Sequence, residues 1–155
     1  FDYCCDFIKK IIKDYKRVYF CGISSGGYAA ILFGSVLKCN KVLAFRPQTN
    51  LNLLVKDGII SSHWNIPVDN IIPKHLDLNN IINKDTQYIV YGDKKVKDKK
   101  DYHHIIQCLN IDNYPNVSII VDNPYLPNYK LMIKNRNLNE IFDDFILENS
   151  GSYNL

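Results

Sequence analysis

The chain lacks the long apolar run of roughly 20 residues that a membrane helix needs, so no membrane span is expected. A leader peptide is not expected either, because Lys9, Lys10, Lys13 and Asp14 interrupt the apolar positions near the amino terminus. Charge of one sign is also scarce. The formal net charge is +3 and the lysines are dispersed. The densest run, Lys94 to Lys100, contains Asp98 and is followed by Asp101, which reads as a solvated loop. A nucleic-acid groove would need a broader basic face, so no nucleic-acid partner is expected. Paired cysteines are missing too. The five cysteines (4, 5, 21, 39 and 108) make an odd count without CxxC spacing. That argues against a disulfide framework or a zinc site and for a reducing, cytoplasmic setting, with no metal and no cofactor. Cys21 and Cys108 stand in apolar contexts and are expected to be buried. The first residue is Phe1 rather than Met, which fits a piece of a longer polypeptide with a further domain upstream.

What is present is a globular composition. Of 155 residues, 46% are hydrophobic and 23% charged, enough for one domain over residues 1–155 with its own core. Residues 5–16 place Phe7, Ile8, Ile11, Ile12 and Tyr15 on one stripe with lysines opposite, an amphipathic helix. RVYFC, residues 17–21, is a strand, and a helix that is apolar nearly all round follows from about 25 to 37. KVLAF, residues 41–45, is a second strand, ended by Pro47. Residues 48–85 carry Pro67, Pro73 and scattered Ile and Leu without sustained period, and read as an excursion or lid with short helical turns. QYIVYG (87–92) and NVSIIVD (116–122) are two further strands. Between them, Ile105, Ile106 and Leu109 line a helix over 101–110. In the last helix Leu138, Ile141, Phe142, Phe145 and Ile146 recur at helical spacing, and Asn137 with Glu140 resembles a capping box. Helices alternating with apolar strands predict a three-layer αβα fold with a mostly parallel sheet.

Chemistry concentrates in Gly22-Ile23-Ser24-Ser25-Gly26, a G-x-S-x-G turn between strand and helix. A serine hydroxyl is a weak nucleophile unless geometry and a base assist it. A sharp bend above the carboxyl end of a sheet supplies the geometry, provided small residues let the strand and helix backbones approach. Gly22, Gly26 and Gly27 are the candidates for that role. The amide of Ser25, with the helix amino terminus, would face a developing oxyanion. Two plainer readings compete. A glycine-rich turn before a helix can cradle phosphate, although neither G-x-G-x-x-G nor G-x-x-x-x-G-K-[ST] occurs. Ser24 could instead only cap the helix.

GISSGGYAAILFG followed by VLAFRPQT resembles the nucleophile-elbow region of the α/β-hydrolase superfamily, in a subgroup with G-x-S-x-GGYAA-x-x-FG and then VLAF-x-PQT. The resemblance covers about residues 17–110, more weakly the remainder, and implies the carboxyl-terminal part of that fold. It implies a serine hydrolase-like domain in which Ser24 attacks an ester or other acyl group of a small-molecule, glycan or lipid substrate. Acyl transfer to an acceptor other than water would use the same chemistry.

In that superfamily an acid and then a histidine follow the serine along the chain. The loop after QYIVYG offers Asp93, Asp98 and Asp101. Asp98 and Asp101 are equal candidates for the catalytic acid, with Asp101 alternatively a helix cap. The histidine would belong in DNPYLPNYK, residues 122–130, where Pro127 and Asn128 stand at the matching place and no histidine exists. The histidines present are His63, His75, His103 and His104. His63, beside Trp64 in the excursion, is the one a lid could carry over Ser24, whereas His103 and His104 begin a helix. This gap supports the alternative reading, a catalytically degenerate fold serving as a binding or assembly module.

Overall fold

The computed structural model describes residues 1–52, 75–92, 113–121 and 137–147. Four strands form one parallel sheet in sequential order: β1 (Tyr19–Ile23), β2 (Lys41–Phe45), β3 (Gln87–Gly92) and β4 (Val117–Val121). The register is continuous across the sheet. Leu43 pairs with Cys21 on one side and with Ile89 on the other, and Ile89 pairs with Ser118. Parallel strands need crossovers that cover both faces, and the burial pattern agrees. Val42, Ala44, Tyr88 and Val90 point to one face, where Ala30, Ile31 and Leu32 of α2 (Ser25–Val36) and Leu78 of a 3-10 helix (Leu78–Ile81) complete a core. Leu43, Phe45, Ile89 and Tyr91 point to the other face, closed by Phe145 of α3 (Asn137–Leu147). The architecture is a three-layer α/β sandwich.

Two of the predicted strands coincide with β2 and β3, and β1 lies two residues later than expected. Val18 is not part of it because its N–H donates to the Asn40 side chain at 2.8 Å rather than to a neighbouring strand. At the far end, Gly22 and Ile23 stay in the sheet because β2 continues alongside as Ala44 and Phe45. Cys21 is exposed, not buried as its apolar neighbours suggested, since β1 forms the edge of the described sheet. The first helix, α1 (Asp2–Ile12), starts and stops earlier than predicted. Of its stripe, Ile8 and Ile12 are half-buried while Phe7 and Ile11 stay exposed; Cys5 is its buried residue. Phe1 anchors it to α2 by stacking on Phe33, with ring centroids 5.8 Å apart.

α2 packs closely on β2 because Gly34 leaves no side chain between them: a Cβ there would meet Val42 and Cys39. The two ends of the 48–85 excursion are firmly seated. Leu51 N–H bonds to Leu76, Leu78 N–H bonds to Thr49, and Asn50 pairs with Asp77 in an antiparallel bridge. Thr49, Leu51 and Leu78 are buried. No described helix is long and apolar enough to cross a membrane.

Candidate functional site

The candidate site grows from the carboxyl ends of β1 and β2. Ile23 and Phe45 are the last paired residues, and the Ser24 N–H donates to the Phe45 carbonyl at 2.8 Å. Ser24 then turns to φ 54°, ψ −117°, and α2 begins at the next residue. A left-handed φ in a residue with a side chain costs on the order of 1–3 kcal/mol and persists only where the surroundings impose it. Here the surroundings are backbone. A Cβ on Gly22 would collide with the Gly26 carbonyl, so strand and helix pass with nothing between them. Gly27 lies against Pro47, where a Cβ would sit 3.1 Å from the proline Cβ. Gly26 differs, because among the described residues nothing lies within 4 Å of a Cβ placed there. Of the three glycines expected to supply smallness, Gly22 and Gly27 are the ones that close approach requires.

Ser24 stands at the N-cap of α2, yet its hydroxyl makes no capping hydrogen bond. The plain capping role is therefore absent. Its carbonyl accepts the first helical bond, from the Tyr28 N–H at 3.0 Å. The amides of Ser25, Gly26 and Gly27 precede that bond and have no intrahelical acceptor by construction. The first turn carries no acidic side chain, so the positive end of the helix dipole is not offset there. Ser24 is half-buried and Ser25 exposed. The arrangement sets a hydroxyl that makes no capping bond beside a set of amide donors.

The chain leaving β2 has a second left-handed residue. Arg46 has φ 46°, although it carries a long side chain and precedes Pro47, a position sterically pushed toward extended conformations. Its N–H donates to the Tyr91 carbonyl at 2.7 Å, and Pro47 packs on Gly27, which clamps it from both sides. The arginine is half-buried, with its Nε shut off from solvent. Gln48, next along the same segment, keeps its side-chain oxygen buried without a hydrogen-bond partner among the described residues. Arg46 was missed from sequence; the one available signal is its place between a strand end and a proline, beside the Ser24 turn.

Asp93, Asp98 and Asp101, His63, His103 and His104, and the 122–130 loop lie outside the described residues. His75 is described. Its ring packs edge-on against Phe1 with centroids 5.0 Å apart, and its carbonyl accepts from the Tyr28 hydroxyl at 2.7 Å. These contacts tie the far root of the excursion to α1 and α2.

No family model matches the chain, and no curated protein matches it in sequence. Among solved structures it is similar to the capsule O-acetyltransferase of Neisseria meningitidis serogroup A, a mutant in complex with CoA. The TM-score is 0.61 at 16% identity, covering 91% of this chain and 64% of that one. This chain thus spans less than two thirds of that protein's length. The finding corrects the expectations of α/β-hydrolase membership and of a serine hydrolase, and with them the hydrolase and nucleophile-elbow labels: the similar structure is an acetyltransferase holding CoA. The physical reason is that a motif around one serine does not record which nucleophile later receives the acyl group. The similarity to an acetyltransferase lends no specific support to the alternative of a degenerate binding module. The chain shares its three-layer parallel α/β fold with an O-acetyltransferase.

Proposed function

We propose that the chain carries an O-acyl transfer site, in which Ser24 takes an acyl group from a thioester of the CoA class and passes it to an acceptor hydroxyl. The observation that carries this reading is Ser24 itself, held at φ 54°, ψ −117° between β1 and α2 with its hydroxyl not used as a cap. The fold likeness to an O-acetyltransferase supports the choice of transfer and of the donor class. In the first step the Ser24 oxygen bonds to the thioester carbonyl carbon. The tetrahedral oxyanion faces the Ser25 amide and the first turn of α2, where the unoffset helix dipole favours negative charge. The carbon–sulfur bond then breaks, and the thiolate takes up the proton that the serine gave up. In the second step the acceptor hydroxyl attacks the acyl-serine, its proton returns to Ser24, and the new ester leaves. A base must carry the proton between these steps. His63 is the candidate for it, and Asp98 or Asp101 for the acid that orients it.

The test is mass spectrometry of the intact chain after incubation with acetyl-CoA. One acetyl group is expected on the protein, mapped by peptide sequencing to Ser24, with loss of at least about 10⁴ in acylation rate for Ser24→Ala. A folded chain that gains no acetyl group, or gains it elsewhere with Ser24→Ala unaffected, overturns the reading.

A further inference from the structure

We infer that the outer face of α1 is an interaction surface whose occupant is a second copy of this chain, packed α1 against α1 in antiparallel. The inference is independent of the Ser24 reading. A helix on the surface of a globular fold needs one apolar stripe, the one it turns inward. In α1 that stripe is made by Cys5, which is buried, and by Ile8 and Ile12, which are half-buried. The helix carries another apolar row besides. Tyr3, Phe7 and Ile11 follow one another at intervals of four residues and so form a single ridge along it. They are 82%, 55% and 52% exposed. Tyr15, 67% exposed, prolongs the ridge just past the helix, where its N–H donates to the Ile12 carbonyl at 3.0 Å. Single apolar residues on a surface need no explanation, but a row of large ones marks a place where something binds.

Charge selects the occupant. Asp6 and Lys10 directly precede Phe7 and Ile11, so they share one flank of the ridge, one helical turn apart. When two such helices lie face to face in antiparallel, equal flanks meet with their direction reversed. Asp6 of each copy then stands beside Lys10 of the other, twice over by symmetry, and each apolar residue of one ridge fits between two of the other. Parallel pairing would set the charged flank against the Cys4 and Ile8 side instead. The face is therefore self-complementary in the antiparallel sense, as an isologous two-fold interface requires. Within the single chain Asp6 pairs with Lys9 at 3.5 Å. Both side chains are well exposed, and a pair of that kind contributes little and is readily exchanged. One short helix face is smaller than the roughly 800 Å² per partner of a standard interface, so the dimer is a weak, reversible one.

The experiment is sedimentation velocity of the full chain over a range of concentrations. The wild type is expected to pass from monomer to dimer with a dissociation constant on the order of micromolar to tens of micromolar, weakened by added salt. Phe7→Glu puts a charge in the middle of the ridge at an exposed position. It is expected to raise that constant by about tenfold or more, while urea unfolding of the dilute protein stays as in the wild type. Asp6→Lys and Lys10→Asp each set like charges opposite one another in a pair of identical chains, so each alone associates about threefold more weakly or worse. Mixed in equal amounts, the two variants face each other with opposite charges and are expected to associate more tightly than either does alone. A wild type that stays monomeric at every concentration overturns the second copy as occupant and leaves the ridge to a different partner. A dimer that Phe7→Glu leaves intact overturns the ridge as the interface. A mixture no tighter than the separate variants overturns the antiparallel arrangement.

Discussion

At the scale of single residues, the turn depends on one atom's worth of space. Gly22 and Gly26 both belong to the G-x-S-x-G pattern, but they are not equivalent. At Gly22 a methyl group would occupy the place of the Gly26 carbonyl and stand 2.8 Å from the Gly27 nitrogen. Neither atom can rotate away as a side chain could. Gly22→Ala is therefore expected to destabilise the chain by about 3 kcal/mol, the upper end for overpacking, and to abolish acylation of Ser24. At Gly26 the same methyl group meets open space among the described residues. Gly26→Ala is expected to keep acylation and to gain between a few tenths and about 1 kcal/mol from helix propensity. Urea unfolding and the acylation assay on the pair check both statements, and equal losses in both variants would refute them. A glycine pattern read from sequence identifies neither role, because the requirement comes from the backbone that passes nearby.

At the scale of elements, the helix that presents Ser24 ends under strain of its own. Lys38 lies just past the carboxyl end of α2 at φ 53°. Its N–H donates to the Ser35 carbonyl at 3.3 Å and the Cys39 N–H to the Gly34 carbonyl at 3.0 Å, the paired bonds of a Schellman ending. That position favours glycine. Lys38→Gly is expected to raise stability by up to about 1 kcal/mol without altering acylation, as measured by thermal unfolding. A loss of stability would show that the lysine chain contributes more than its backbone costs. The elements themselves were largely legible. After their first residues, Lys41 and Gln87, β2 and β3 are short apolar runs, which is how buried parallel strands read. The limits of β1 were not, because whether Arg17 and Val18 enter the sheet depends on Asn40, which takes the Val18 N–H into a side-chain bond. The site was half legible for the same kind of reason. Ser24 sits in a local pattern of five residues, whereas the backbone of Arg46 leaves the sheet beside it only through the parallel pairing of β1 with β2.

At the scale of the whole molecule, the end of the sheet opposite the site is joined by neutral buried groups, and this sets how the fold responds to alkali. Cys39 lies where the end of α2, the start of β2 and the entry to β3 meet. Its thiol donates to the Lys41 carbonyl at 3.3 Å, and its carbonyl accepts from the Thr86 hydroxyl at 2.8 Å. Burial is the main influence on the thiol and pushes it from 9.0 up to about 12. The Tyr88 hydroxyl, 2.7 Å from Ser35 Oγ and accepting from the Asn83 N–H at 3.1 Å, is shifted upward by burial as well. Below pH 9 the thiol keeps its proton in both folded and unfolded chains, and its contribution is constant. Between pH 9 and about 12 the unfolded chain releases the Cys39 proton while the folded chain retains it. The unfolded state then binds fewer protons, so stability falls as pH rises, by at most about 1.4 kcal/mol per pH unit from this group. Tyr88 acts in the same direction from its ordinary value of 10.0 upward. Urea unfolding from pH 8 to 11 should show this decline, and Cys39→Ala should flatten it even if its stability at pH 8 is lower from the lost packing. The slope carries the test, since it reports proton release and not packing. An unchanged slope in Cys39→Ala would mean that the alkaline loss arises elsewhere in the molecule.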